Sequence, residues 1–157
     1  MNVLILDDET ARANAWRGCL KEFGIEATVP DVDDVAKLIQ ELQEHRLHAR
    51  KGKFKDFLPF DEVDILIVDY DLLGLHGNGW TTGAEIAYAA RLLSRVGPIV
   101  VVNQHGTNAF DLTMRRAAFS HADLDVGSQQ IVNKGLFTSS DFKGYRPWFW
   151  PNLTAEP

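Results

Sequence analysis

The sequence predicts an open α/β protein, with a mainly parallel five-stranded sheet and helices packed between successive strands. Three observations predict it. Short apolar runs alternate with segments of helical periodicity along most of the chain, the pattern of βαβ units. Two of these runs, Val3-Leu4-Ile5-Leu6 and Ile65-Leu66-Ile67-Val68, are continuously apolar, as strands covered on both faces are. Both end in acids, Asp7-Asp8-Glu9 and Asp69, and functional groups in open α/β sheets collect where the strands end.

Taken in order, the first strand is followed by Ala13, Trp16, Leu20 and Phe23 at helical spacing, with Gly24 as the stop. Residues 26–29 form a short second strand. Pro30-Asp31 with Asp33 and Asp34 opens an acid-rich helix whose apolar face is Val35, Leu38, Ile39 and Leu42, and which runs to about Arg50. Residues 51–60 are irregular, punctuated by Gly52 and Pro59, and the third strand spans 63–69. A glycine-rich loop, 70–82, carries Gly74, Gly77 and Gly79. Its glycines either make a flexible lid or solve tight turns. A helix over 83–95 presents Ile86, Ala90 and Leu93, and Gly97-Pro98 breaks it before a strand over 99–102. Thr107 or Asn108 caps a further helix that buries Phe110, Met114 and Ala117. The fifth strand is read at Gln129-Gln130-Ile131-Val132-Asn133-Lys134, an apolar run ending in lysine.

At 157 residues the chain suffices for one domain with a full core. A formal charge of −6 and a pI of about 5.3 argue against a general nucleic-acid coat. The single cysteine, Cys19, rules out an internal disulfide and a cysteine-based zinc site, and fits a reducing compartment. Met1-Asn2 leads directly into a strand, and no apolar run approaches the ~20 residues of a membrane span, so a soluble, cytoplasmic protein is expected.

Carboxylates gathered at one sheet edge repel one another, and each pKa rises unless a cation sits among them. Such a cluster suits a hard, oxygen-preferring ion such as Mg²⁺ or Mn²⁺. With Asp7-Asp8-Glu9, Asp64-Ile65-Leu66-Ile67-Val68-Asp69, Pro98-Ile99-Val100-Val101-Val102 and Ile131-Val132-Asn133-Lys134 in this order, the chain resembles the receiver domain of two-component response regulators over residues 1–137. The resemblance implies a doubly wound, flavodoxin-like sheet in the order 2-1-3-4-5. It implies that Asp69 is the phosphoacceptor, that Asp7, Asp8, Asp69 and the backbone carbonyl of Asp71 hold Mg²⁺, and that Lys134 pairs with the phosphoryl oxygens. It implies as partner a histidine kinase or phosphotransfer protein. On this reading the protein is a self-phosphorylating switch rather than an enzyme acting on a separate substrate. The bland reading of the same acids is helix capping by Asp8 or Thr10, with Glu9 as a solvated first-turn acid.

Several positions depart from the family pattern. Asn103 stands where the fourth strand usually ends in Thr or Ser, and its amide offers the phosphoryl group a bulkier donor. Gln104 follows where a small residue admits the phosphodonor, Ile131 stands where an aromatic switch is usual, and Gly135 replaces a proline. Asp71 adds a negative side chain beside Asp69 that either repels a phosphoryl oxygen or gives the ion another partner. His76 and His105 flank the site in sequence, without zinc-ligand spacing. The basic run over 45–55 reads as a solvated face favouring a helix C-terminus, or as a dock for an acidic partner. Residues 138–157, with Phe142, Tyr145, Trp148, Phe149 and Trp150 among prolines, form an extension in place of a regular last helix, packed on the domain or anchoring a dimer or partner.

Three other functions share part of this pattern. Asp69-Tyr70-Asp71 resembles the first motif of haloacid-dehalogenase-type phosphatases, which place it on their first strand. Asp69, Asp71 and Gly74 are similar to a toprim metal motif, which needs a glutamate in a glycine-bearing turn that Asp7-Asp8-Glu9 lacks. A flavodoxin requires a hydroxyl- and glycine-rich loop after the first strand, and none follows. A degenerate receiver that only binds other proteins is the further alternative.

Overall fold

A computed structural model describes residues 1–53, 58–72, 75, 82–103 and 122–132. Five parallel strands, β1 (Val3–Leu6), β2 (Ala27–Thr28), β3 (Ile65–Asp69), β4 (Ile99–Asn103) and β5 (Leu124–Gly127), form one sheet in the order β2-β1-β3-β4-β5. The helices are α1 (Thr10–Glu22), α2 (Val32–Ala49), α3 (Gly83–Leu93) and the single turn α4 (Ser128–Ile131), with a 3₁₀ turn at Pro59–Glu62.

Side chains on each strand alternate between two apolar layers, which is why β1, β3 and β4 read as unbroken apolar runs. Leu4, Leu6, Leu66, Val68, Ile99 and Val101 face α2 and α3. Val3, Ile5, Ile65, Ile67, Val100 and Val102 pack with Ala13, Trp16 and Leu20 of α1, and with Ile131 of α4. With helices on both faces the sheet is doubly wound, as expected.

Local chemistry sets the helix ends. Asp31 accepts from the amide of Asp34 at 2.9 Å and starts α2. Thr82 and Glu85 form a reciprocal capping box at the start of α3. Gly24 takes φ +81° directly after α1, a left-handed turn that a side chain would disfavour. α2 ends at Ala49 with Arg50 as its cap, close to the expected limit.

The fifth strand corrects the sequence reading. It spans Leu124–Gly127, and the turn Ser128–Ile131, which takes in the first three residues of the run expected to be that strand, is helical. Short apolar runs cannot be told apart as helix or strand by periodicity alone, and Gln129-Gln130 are better helix formers than strand formers. The true strand shows period-two alternation, with Leu124 and Val126 in the α1 layer and Asp125 pointing away from it. Ile131 is therefore a buried helical core residue and has no part in a strand-borne switch. The helix expected around Phe110, Met114 and Ala117, the aromatic extension and Lys134 lie outside the described residues.

Candidate metal and phosphoryl site

Parallel strands bring their carboxyl ends to one edge, and register decides which residues meet there. Leu6 pairs with Val68, so the next residues, Asp7 and Asp69, emerge side by side. Asp69 pairs in turn with Val102, which places Asn103 one residue further along the same edge. Asp69 is fully buried, Asp7 and Asn103 are almost so, and Asp8 is half-buried.

Each of Asp7, Asp8 and Asp69 offers a carboxylate oxygen, and these atoms all lie within 4.8 Å of one another. Asp7 Oδ1 accepts from the amide of Glu9 at 2.7 Å. Asp69 Oδ1 has no hydrogen-bond partner among the described residues, although it is buried. An orphaned buried carboxylate oxygen beside two further carboxylates fits a hard divalent cation, whose ligands are oxygens.

The cation that meets these acids is one that sequence reasoning passed over. Arg12, in the first turns of α1, reaches back towards the strand ends because helical side chains lean to the N-terminus. Its Nε donates to Asp7 Oδ2 at 2.8 Å and its Nη2 to Asp7 Oδ1 at 2.6 Å, a two-pronged grip. The same Nη2 lies 2.7 Å from Asp69 Oδ2 and 3.3 Å from Asp8 Oδ1. Nη1 bonds Glu9 Oε2 at 2.8 Å. Behind the guanidinium sits the Trp16 ring, 5.9 Å from Cζ to its centroid. A basic residue one helical turn after an acid-tipped strand was the available signal.

Burial dominates the titration of the pocket. It pushes Asp69 up from 3.8 to about 8; Arg12 opposes the shift, and the charges of Asp7, Asp8 and Asp71 add to it. Asp7 is also raised by burial, against the hydrogen bonds from Arg12 and the Glu9 amide. Without a cation stronger than one guanidinium, the central acid holds its proton near neutrality.

The structure thus brings together Asp7, Asp8 and Asp69 as expected and sets Asn103 on the same edge. Asp71 is half-buried, bridged to Thr82, and near enough for its charge to act on Asp69. The capping reading fits less well: Glu9 occupies the N-cap position of α1, with no side-chain cap bond. Glu9 is nevertheless solvent-facing, as expected, with its side chain 61% exposed. The fifth strand ends at Gly127, and Lys134 lies outside the described residues. Gln104, His76 and His105 lie outside the described residues. In the basic run, His45 is buried on α2 while Arg46, His48 and Arg50 are exposed.

Among solved structures, the chain is similar to the N-terminal domain of a response regulator/sensory box/GGDEF three-domain protein from Carboxydothermus hydrogenoformans, with 18% identity, 82% of each chain covered and a TM-score of 0.48. A yeast Spc42 trimeric coiled-coil fusion is also similar, at 18% identity and a TM-score of 0.41, over 67% of this chain and 54% of that one. No protein-family model and no curated protein matches the sequence. The strand order and the acidic edge define the class directly: a doubly wound α/β protein with the receiver order 2-1-3-4-5 and a buried carboxylate cluster at its switch point. Among the described residues, no helix is long and apolar enough to cross a membrane.

Proposed function

We propose that this chain is a receiver module that accepts a phosphoryl group on Asp69 from a histidine kinase, a phosphotransfer protein or a small phosphodonor in the cytoplasm. The carrying observation is the Asp69 carboxylate, fully buried at the end of β3, with Oδ1 unpartnered among the described residues and two more carboxylates beside it. A carboxylate oxygen of Asp69 would attack phosphorus: an Asp69 O–P bond forms as the donor's P–N or P–O bond breaks, and the donor leaves with the electron pair. Asp7, Asp8 and Asp69 would hold Mg²⁺ or Mn²⁺, with the Asp71 carbonyl as the further ligand implied by the family resemblance. Bound there, the ion supplies positive charge against the phosphoryl oxygens. Arg12 neutralises part of the acidic charge, and the amide of Asn103, at the end of the neighbouring strand β4, would donate to the phosphoryl group.

Two measurements test this reading. Beryllofluoride or a small-molecule phosphodonor is expected to modify wild type in the presence of Mg²⁺ and to leave Asp69→Asn unmodified, as read by mass spectrometry. An adduct surviving Asp69→Asn moves the acceptor elsewhere. Asp8→Ala is expected to weaken Mn²⁺ binding by more than about tenfold, because it removes a carboxylate ligand. Unchanged affinity in that variant rejects the site.

The second reading is a phosphorylation-independent protein-binding module. Its favouring observation is Arg12, which already pairs with the acids that an ion would bridge. Absence of any adduct, with Mg²⁺ present, supports that reading. A haloacid-dehalogenase-like hydrolase is disfavoured because Asp69 sits on the third strand of the chain, behind a first strand with its own acids.

A further inference from the structure

We infer that Arg12 is a built-in competitor of the divalent cation: its guanidinium and the ion are alternative occupants of one pocket, and cation binding displaces Nη2 from Asp7 and Asp69. The inference rests on the metal site of the receiver reading and adds the residue that sets its affinity.

The geometry requires the exclusion. Nη2 lies 2.6 Å from Asp7 Oδ1 and 2.7 Å from Asp69 Oδ2, with Asp8 Oδ1 at 3.3 Å. A Mg²⁺ ion would sit about 2.1 Å from oxygens of the same three side chains. Arg12 holds both oxygens of Asp7, so an ion ligated by Asp7 has to take an oxygen that the guanidinium now occupies, and their like charges would repel. Asp69 Oδ1, buried and without a partner among the described residues, is the ligand atom left over for an ion.

The chain also provides Arg12 with another position. Nη1 is already bonded to Glu9, whose side chain is 61% exposed and faces solvent. The Trp16 ring lies beneath the guanidinium and can support it in either place. Withdrawal from Asp7 and Asp69 therefore leaves the arginine paired and stacked. The consequence is a site whose carboxylates are held in place before the ion arrives, with a lowered affinity for it.

Mn²⁺ titration by calorimetry of wild type, Arg12→Gln and Asp8→Asn tests the inference. Arg12→Gln is expected to bind at least about tenfold more tightly than wild type, since a charge-assisted contact no longer has to be broken. In wild type, the Arg12 Nε–Hε resonance, assigned through bonds, is expected to shift and to exchange faster with water when Mg²⁺ saturates the site. Equal or weaker binding by Arg12→Gln, with wild-type binding lost in Asp8→Asn, overturns the inference and leaves the receiver reading standing. No binding by wild type or by folded Arg12→Gln overturns both. Should Arg12→Gln fail to fold, the wild-type resonance decides alone: no change at saturating Mg²⁺ overturns the inference.

Discussion

In the metal-free protein, stability is expected to fall as pH rises from about 4 to about 8. Asp69 holds its proton up to about 8 in the folded state, against an ordinary value of 3.8, chiefly because it is buried. Between those values the folded chain binds more protons than the unfolded chain, so each rise in pH favours unfolding. The stabilisation is fully present below the ordinary value and gone above the raised one. One such group gives a slope of at most about 1.4 kcal/mol per pH unit, so the whole effect is on the order of a few kcal/mol. Chemical denaturation across this range, in wild type and Asp69→Asn, isolates the contribution by difference. Asp69→Asn is expected to lose the extra slope and to be the more stable protein at pH 8. Identical pH profiles would remove Asp69 from the account. Saturating Mg²⁺ is expected to flatten the wild-type profile, because a ligated carboxylate is ionised and binding releases its proton.

The second large effect is expected from Gly83→Ala. Gly83 opens α3 directly behind the end of β3, donating its amide to the Tyr70 carbonyl at 2.9 Å. A Cβ there would collide with the Asp69 carbonyl oxygen and lie 3.1 Å from the Tyr70 Cα. These neighbours are backbone, so relief requires moving either the helix or the strand end that carries Asp69. A loss of about 2–4 kcal/mol follows, lowering the melting temperature by roughly 5–15 °C. Gly18→Ala is the matched control: it lies inside α1 with nothing within 4 Å of its added methyl. That substitution is expected to be neutral or to stabilise by up to about 1 kcal/mol, the helix-propensity difference. Equal melting temperatures for wild type and Gly83→Ala would show that the strand end yields.

Much of this arrangement was legible in the sequence because the central strands are covered on both faces. β1, β3 and β4 had to be apolar without interruption, and acids ending two of them could only meet at one edge of a parallel sheet. α1 and α2 followed from spacing and stop signals of the ordinary kind. β5 was harder to read: it is short, flanks only β4 among the described strands, and carries a charged residue, so it made a weaker apolar signal than the helical turn beside it. Arg12 was missed for a different reason. The search for a counter-charge looked to another strand end, whereas a helix that begins immediately after the acids folds its own basic side chain back onto them.

The two-residue strand β2 closes the sheet on its other side. It pairs with β1 through Ala27 and Thr28 alone, and Pro30, which has no amide hydrogen to offer, follows almost at once. A strand from a second molecule would find little backbone there to pair with, so this margin resists the edge-to-edge growth by which exposed sheets aggregate.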